Sequence, residues 1–200
     1  MLHIYHSVKD LVFSQLMDVY EESNTLSGRE QYQNKPLYEQ LREVEQDFYN
    51  YLNSVFFRQD NSFYAVWIKE GKYVSALRLE PYINGILLCA LETAPNERNK
   101  GYAHALILSV LDYVGKKGNR SIYSHVSKKN VASLNVHLKS GFRILKDHAV
   151  YSDGSVATNC YTLVYEYKGS ETWWFRILLL ICTFRKDSES PGDIRQVPGL

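Results

Sequence analysis

The stretch GILLCALETAPNERNKGYAHALI, residues 85–107, decides the fold. Its first residues form an apolar run that reads as a long strand. Pro95 and the polar residues after it end that run. Beyond Arg98, apolar positions recur at helical spacing: Ala103, Leu106, Ile107, Val110, Leu111 and Val114. A strand that enters a glycine turn and at once becomes a helix aims free backbone N–H groups at one point. The helix dipole adds positive potential there, and phosphate is the natural ligand. Gly101 lets the backbone approach closely, Ala103 is nearly as small, and Arg98 and Lys100 add charge. The turn is not a P-loop, because no Gly-Lys-Ser or Gly-Lys-Thr follows, and it lacks the dinucleotide fingerprint GxGxxG. Taken alone, it reads equally as an anion cradle or as a plain strand-to-helix turn with solvated charges.

Upstream of this stretch the period is that of strands. SFYAVWIKEGKYVSALRLE (62–80) holds two strands around a Glu70-Gly71-Lys72 turn, and Asn84-Gly85 turns into the next strand. Residues 62–93 therefore form an antiparallel meander. Before them, LHIYH (2–6) is a short strand, and Ser7 caps a helix running to about Glu22. Residues 23–35 are polar and loop-like. Pro36 opens a second helix with the stripe Leu37, Leu41, Val44, Phe48, Leu52 and Val55.

Downstream, SIYSHV (121–126) is a strand and NVASLNVHLKS (130–140) a short helix closed by Gly141. FRILKDHAVY (142–151) and ATNCYTLVYEY (157–167) are strands joined at SDGS. The order β-α-α-β-β-β-α-β-α-β-β belongs to the α/β class in its α+β form. It implies a mixed sheet, mostly antiparallel, with a parallel pair across the crossover helix and helices on its flanks.

The chain has 200 residues, 45% of them hydrophobic, enough for one packed domain and an appendage. A formal net charge of +1 gives no global field to recruit nucleic acid. The N-terminus shows no signal-peptide pattern. Three cysteines, far apart and without metal spacing, fit a reduced cytoplasmic setting. His3 and His6 have no metal partner in view, so no metal is expected. Residues 169–200 differ from the rest. WWFRILLLICTF (173–184) is an apolar run too short to span a bilayer, with Arg176 inside it, and a polar tail follows. The expected division is a domain over 1–168 and a tail over 169–200. The apolar run is expected to enter a protein contact, within the molecule or in a homodimer.

The turn resembles that of the GNAT superfamily of CoA-dependent N-acyltransferases. The match is Arg98, Asn99, Lys100, Gly101, Tyr102 and Ala103, with Pro95 three positions earlier. The family's second motif, from an Asn at a helix start to a closing Gly-Phe, is matched by NVASLNVHLKSGF, residues 130–142. The element order matches over residues 1–168. The resemblance implies acetyl-CoA as co-substrate and a small-molecule or peptide amine as acceptor. It implies that the CoA pyrophosphate sits on the amides of residues 98–103. The pantetheine arm would pair with backbone near Leu91 and Thr93, and the thioester would reach the gap between Glu92 and the 130–140 helix.

The implied chemistry is attack of a neutral amine on a thioester, which needs a base, oxyanion donors and an acid for the thiolate. Glu92 is the candidate base. Leu88 and Ala90 should share its strand face, and burial would raise its pKa. The alternative is that Glu92 braces a loop. His137 stands where the family commonly has a tyrosine acid; it serves as proton donor or as a hydrogen-bonded groove histidine without chemistry. Asn130, Ser133 and His137 fall on one helix face. Asn130 also reads as the helix N-cap, and Ser133 as a small residue that lets the cofactor pass. His104 could touch phosphate, although an exposed helix position is the favoured expectation, and His125 could line the acceptor pocket. Glu92, Glu30 and Asp153 could favour a cationic amine. The rival to an enzyme is a non-catalytic acyl-CoA-binding module.

Overall fold

The computed structural model describes residues 1–83, 85–118 and 121–167. Its centre is a seven-stranded sheet, built from β1 (Leu2–Tyr5), β2 (Phe63–Lys69), β3 (Lys72–Tyr82), β4 (Gly85–Thr93), β5 (Ser121–Ser127), β6 (Arg143–Lys146) and β9 (Cys160–Glu166). The spatial order is β1-β2-β3-β4-β5-β9-β6. Only β4 and β5 run parallel, and α4 (Tyr102–Lys116) makes the crossover between them. The mixed, mostly antiparallel sheet expected from the sequence is the sheet found. The Asn84 half of the expected Asn84-Gly85 turn and the whole tail from residue 168 lie outside the described residues.

Alternation along the strands divides two cores. Phe63, Ala65, Leu77, Leu79, Leu88 and Ile122 point to one face, where the apolar stripe of α4 covers them. Tyr64, Val66, Tyr73 and Ala76 point to the other, against α1 (Phe13–Val19) and α3 (Leu37–Ser54). The site is built between these layers.

Three sequence expectations are corrected. Ser7 caps only a 3-10 turn over Val8–Asp10, its hydroxyl accepting from the Lys9 N–H, and the helix starts later at Phe13. Residues 23–35 do not form a loop: α2 spans Glu21–Gln31. Gly28, read as a loop residue, is the contact point with α3, where an added Cβ would come within 3.1 Å of the Gln40 Cβ. Tertiary packing here overrides a polar, Ser- and Gly-bearing composition. The strand expected over 142–151 is broken into β6 and β7 (Ala149–Val150). β7 pairs with β8 (Val156–Ala157) around the expected SDGS turn.

Candidate active site

β4 departs from regular pairing on both sides. On one side it pairs with β5 only at Ile86, Leu87 and Leu88; β4 runs on to Thr93 without that partner among the described residues. On the other side, Ala76 faces Glu92 and Arg78 faces Cys89, so Leu77 alone opposes Ala90 and Leu91. This is a β-bulge, and Ala90 is held at φ 50° in it. The extra residue resets the alternation. Glu92 therefore does not share the face of Leu88 as expected from period 2. It lies on the face of Cys89, Arg78 and Tyr64. The Tyr20 hydroxyl fastens the bulge by donating to the Ala90 carbonyl at 2.7 Å, and the Tyr64 hydroxyl donates to Tyr20 at 2.9 Å.

Glu92 is half-buried. Burial raises its pKa above the ordinary glutamate value; the Ser23 hydroxyl and Arg98 pull the other way, and Glu22 adds to the rise. Ser23 and Glu22 belong to α2, the helix the sequence did not reveal. The Glu92 backbone is also fixed, its carbonyl accepting from Ser75 Oγ at 2.7 Å.

The turn after β4 curls through two left-handed residues, Asn99 at φ 61° and Gly101 at φ 83°. Its cations have partners within the chain. Arg98 pairs with Glu22 at 2.7 Å and donates through Nε to the Thr93 carbonyl. Lys100 donates to the Asn96 carbonyl and pairs with Glu97 at 3.1 Å. Tyr102 lies against Lys69. The positive potential falls to the backbone. The N–H groups of Asn99, Lys100, Gly101, Tyr102, Ala103 and His104 find no acceptor among the described residues. A Cβ placed on Gly101 would meet nothing within 4 Å, so the space before these groups is open. A pyrophosphate fits this array.

On α5 (Val131–Lys139) the three expected residues do share a face. Asn130 is the N-cap, accepting from the Ser133 N–H at 3.0 Å. His137 is 1% exposed and meets the Phe142 ring edge to face. Its Nδ1 lies 2.7 Å from the Ser133 carbonyl. A carbonyl only accepts, so Nδ1 carries the hydrogen and Nε2 is bare. Nε2 is buried and without a partner among the described residues. Burial also lowers the ring's pKa, against the Ser133 bond that raises it, so the neutral form prevails. A proton donor at Nε2 is therefore not what the resting structure holds.

His104 is half-buried rather than exposed, with Nδ1 2.9 Å from Ser140 Oγ, and ties α4 to the end of α5. His125 stands on the same sheet face as Glu92. It lies edge-on to the Tyr82 and Tyr151 rings, its Nδ1 is buried without a partner among the described residues, and burial lowers its pKa. Glu30 is exposed near the end of α2. Asp153 accepts from the N–H and Oγ of Ser155, which holds its pKa down, so it serves its own turn. The sequence reading missed Tyr20, Tyr64, Tyr51 and Arg78. The signal for Arg78 was available: Arg78 and Glu80 alternate with Leu77 and Leu79 in a strand flanked on both sides. Among the described residues, no group of His, Cys, Asp and Glu could hold a metal ion, and no helix is long and apolar enough to cross a membrane.

A sequence profile of the acetyltransferase (GNAT) family matches residues 15–142. No curated protein sequence matches the chain. Among solved structures, the PaiA N-acetyltransferase of Thermoplasma acidophilum, determined with coenzyme A, is 17% identical with a TM-score of 0.57, covering 84% of this chain and 99% of its own. The ribosomal-protein-S18-alanine N-acetyltransferase of Escherichia coli is 14% identical with a TM-score of 0.56, covering 86% of this chain and 99% of its own. Aminoglycoside 6'-acetyltransferase type Ii is 14% identical with a TM-score of 0.56, covering 83% and 96%.

Proposed function

The chain belongs to the acetyltransferase (GNAT) family and is an acyltransferase, and we propose that it moves the acetyl group of acetyl-CoA to a primary amine with Glu92 as base. The observation that carries this reading is the placement of Glu92. It lies on the end of β4 that has no β5 partner among the described residues, just before a turn of free N–H groups, half-buried and with a raised pKa. The residues present fit the co-substrate: the N–H groups of 99–104 for the pyrophosphate, and the edge of β4 at Leu91 and Thr93 for the arm. The Thr93 carbonyl already accepts from Arg98, so pairing there falls to Leu91 and the Thr93 N–H.

Acetyl-CoA supplies an activated acyl carbon when bound. Glu92 takes the proton that keeps the amine cationic, directly or through a water. His137 cannot start as the acid. Once the seal over its bare Nε2 opens, that nitrogen takes the second amine proton, released as the amide forms, and holds it for the departing sulfur. The protons then balance: one goes to Glu92 and one reaches the thiol through His137. A second reading rests on the burial of His137 and its contact with Phe142, which would make it a packing residue. In that case the chain binds acyl-CoA without using the ring in chemistry.

The two similar enzymes named for ribosomal-protein alanine and for an aminoglycoside support an amine acceptor in either size class. Cys89 and Cys160 are free thiols, in keeping with a cytoplasmic setting. Calorimetry tests the anchor. Gly101→Glu forces a side chain onto a residue at φ 83° and sets a carboxylate where phosphate must lie. It should abolish acetyl-CoA binding. Binding equal to the parent's would sink the assignment.

A further inference from the structure

Arg78 is a cation without an adequate partner, on the face of the sheet that carries Glu92. Its cross-strand neighbours are Tyr64 and Cys89. The Tyr51 ring centroid lies 5.0 Å from the guanidinium and that of Phe56 5.8 Å, so aromatic rings shield the group. Its Nε is buried and makes no hydrogen bond among the described residues. The nearest carboxylate oxygen, on Glu80, is 3.9 Å from Nε, beyond hydrogen-bond range. Cys89 gives no counter-charge, since burial pushes its thiol up to about 12.

Cys89 is a side-chain hydrogen-bond partner of the group, and no oxygen acceptor stands at hydrogen-bond distance from its N–H donors among the described residues. Arginine stays charged in proteins, and a desolvated charge held by a weak sulfur partner alone is costly. The cost is sustained where a ligand supplies the acceptors. The side chain keeps 22% of its surface exposed, and Nε contributes none of it. With Glu80 beside the sealed Nε, a ligand would meet the group at its Nη edge. Flanking rings and a two-nitrogen edge suit a flat two-oxygen acceptor.

Arg78 is also close to the chemistry. Both Arg78 and Glu92 act on the Tyr20 and Tyr64 phenols, which form the hydrogen-bonded link to Ala90. The β3 partner of Glu92 is Ala76, two residues from Arg78, roughly 7 Å along a strand. That span suits an acceptor of amino-acid size. We infer that Arg78 binds a carboxylate of the acceptor, so that the preferred substrate is a small amine that also carries a carboxylate, such as a free amino acid. This rests on the acetyltransferase reading, and it reverses the expectation of a purely cationic amine.

The test measures CoA thiol release by the full chain from acetyl-CoA, with amino acids each paired against its α-carboxamide and its decarboxylated amine. The acids should be the better acceptors. Arg78→Gln should raise KM for the acids about tenfold to a hundredfold, the loss expected for charge-assisted hydrogen bonds. The kcat should change little, the amide and amine partners should be unaffected, and Arg78→Lys should fall between. Equal turnover of acid and amide, or an equal loss for all acceptors in Arg78→Gln, overturns the inference and leaves the acetyltransferase standing. Preference for phosphate-bearing amines over the acids overturns it too. The acid and amide pairs are compared on the parent chain, so a poorly folded variant does not blunt the test. Failure of the parent to bind acetyl-CoA would remove the acetyltransferase reading, and this inference with it.

Discussion

A carboxylate that must hold a proton part of the time needs some burial, and a buried carboxylate weakens the fold when it ionises. Glu92 has that conflict. Its raised pKa means the basic form appears only above the ordinary glutamate range, about 4.3. The acidic limb of kcat/KM should rise with a midpoint above that value. Glu92→Gln should remove the limb and lower turnover on the order of a hundredfold to ten-thousandfold, with acetyl-CoA affinity kept. The sign for stability is opposite. The folded state favours the protonated acid, so ionisation costs stability as pH rises from the unfolded pKa through the folded one. Glu92→Gln should therefore melt at a higher temperature than the parent near neutral pH, and the advantage should vanish below about pH 4. A variant that is less active and also less stable would argue for the bracing role. For His137, the sequence placed the residue and its helix face, but not its tautomer. That depends on a carbonyl one turn back and on the Phe142 ring. His137→Ala should cost about a hundredfold in turnover with CoA affinity unchanged, and His137→Tyr should restore most of it. A thermal shift without a turnover change would leave only packing.

At the scale of elements, the decisive feature is one residue out of step. Period 2 reads Leu88, Ala90 and Glu92 on a single face, and a regular strand would place them there. The bulge at Ala90 turns Glu92 toward Tyr20, Tyr64 and Arg78 instead. Nothing in GILLCALET announces it, because alanine is not a left-handed residue by preference. The bulge is imposed from outside by a phenol on the N-terminal helices. The same helices hid α2, whose only strong argument is its packing on α3 at Gly28. By contrast, the α4 turn and α5 were legible because their signals are local: a glycine at positive φ and an asparagine that caps its own helix. The bulge can be probed directly. Ala90→Val puts a β-branched residue at φ 50°, and should destabilise by about 1–3 kcal/mol in urea titration while displacing Glu92 and lowering activity. Ala90→Gly relieves the backbone and should keep both stability and turnover. Equal tolerance of valine would show that the strand can lose its bulge without loss of function.

For the whole molecule, the question is where the catalytic body ends. We propose that residues 1–168 form it and that the apolar run of 173–184 serves association or solubility instead. The described part closes on itself at its last residue. The Tyr167 hydroxyl donates to the Leu111 carbonyl at 2.5 Å. An added Cβ at Gly115 would come within 2.6 Å of the Tyr167 ring, so α4 and the residue after β9 fit tightly. Every candidate group named above lies before this latch: Glu92 on β4, the turn of 98–103, His137 on α5 and Arg78 on β3. The charge and length of WWFRILLLICTF argue in the same direction. It is too short to cross a bilayer, and the acidic residues Asp187 and Glu189 follow its only basic flank. A protein contact, including one between two copies, is the fate that buries it. Cutting the chain after Lys168 should leave a folded monomer that binds acetyl-CoA as the full chain does. Sedimentation of the full chain should show a larger species that the cut abolishes. A shortened chain that stays folded but no longer binds acetyl-CoA would place the tail inside the active body and move the boundary.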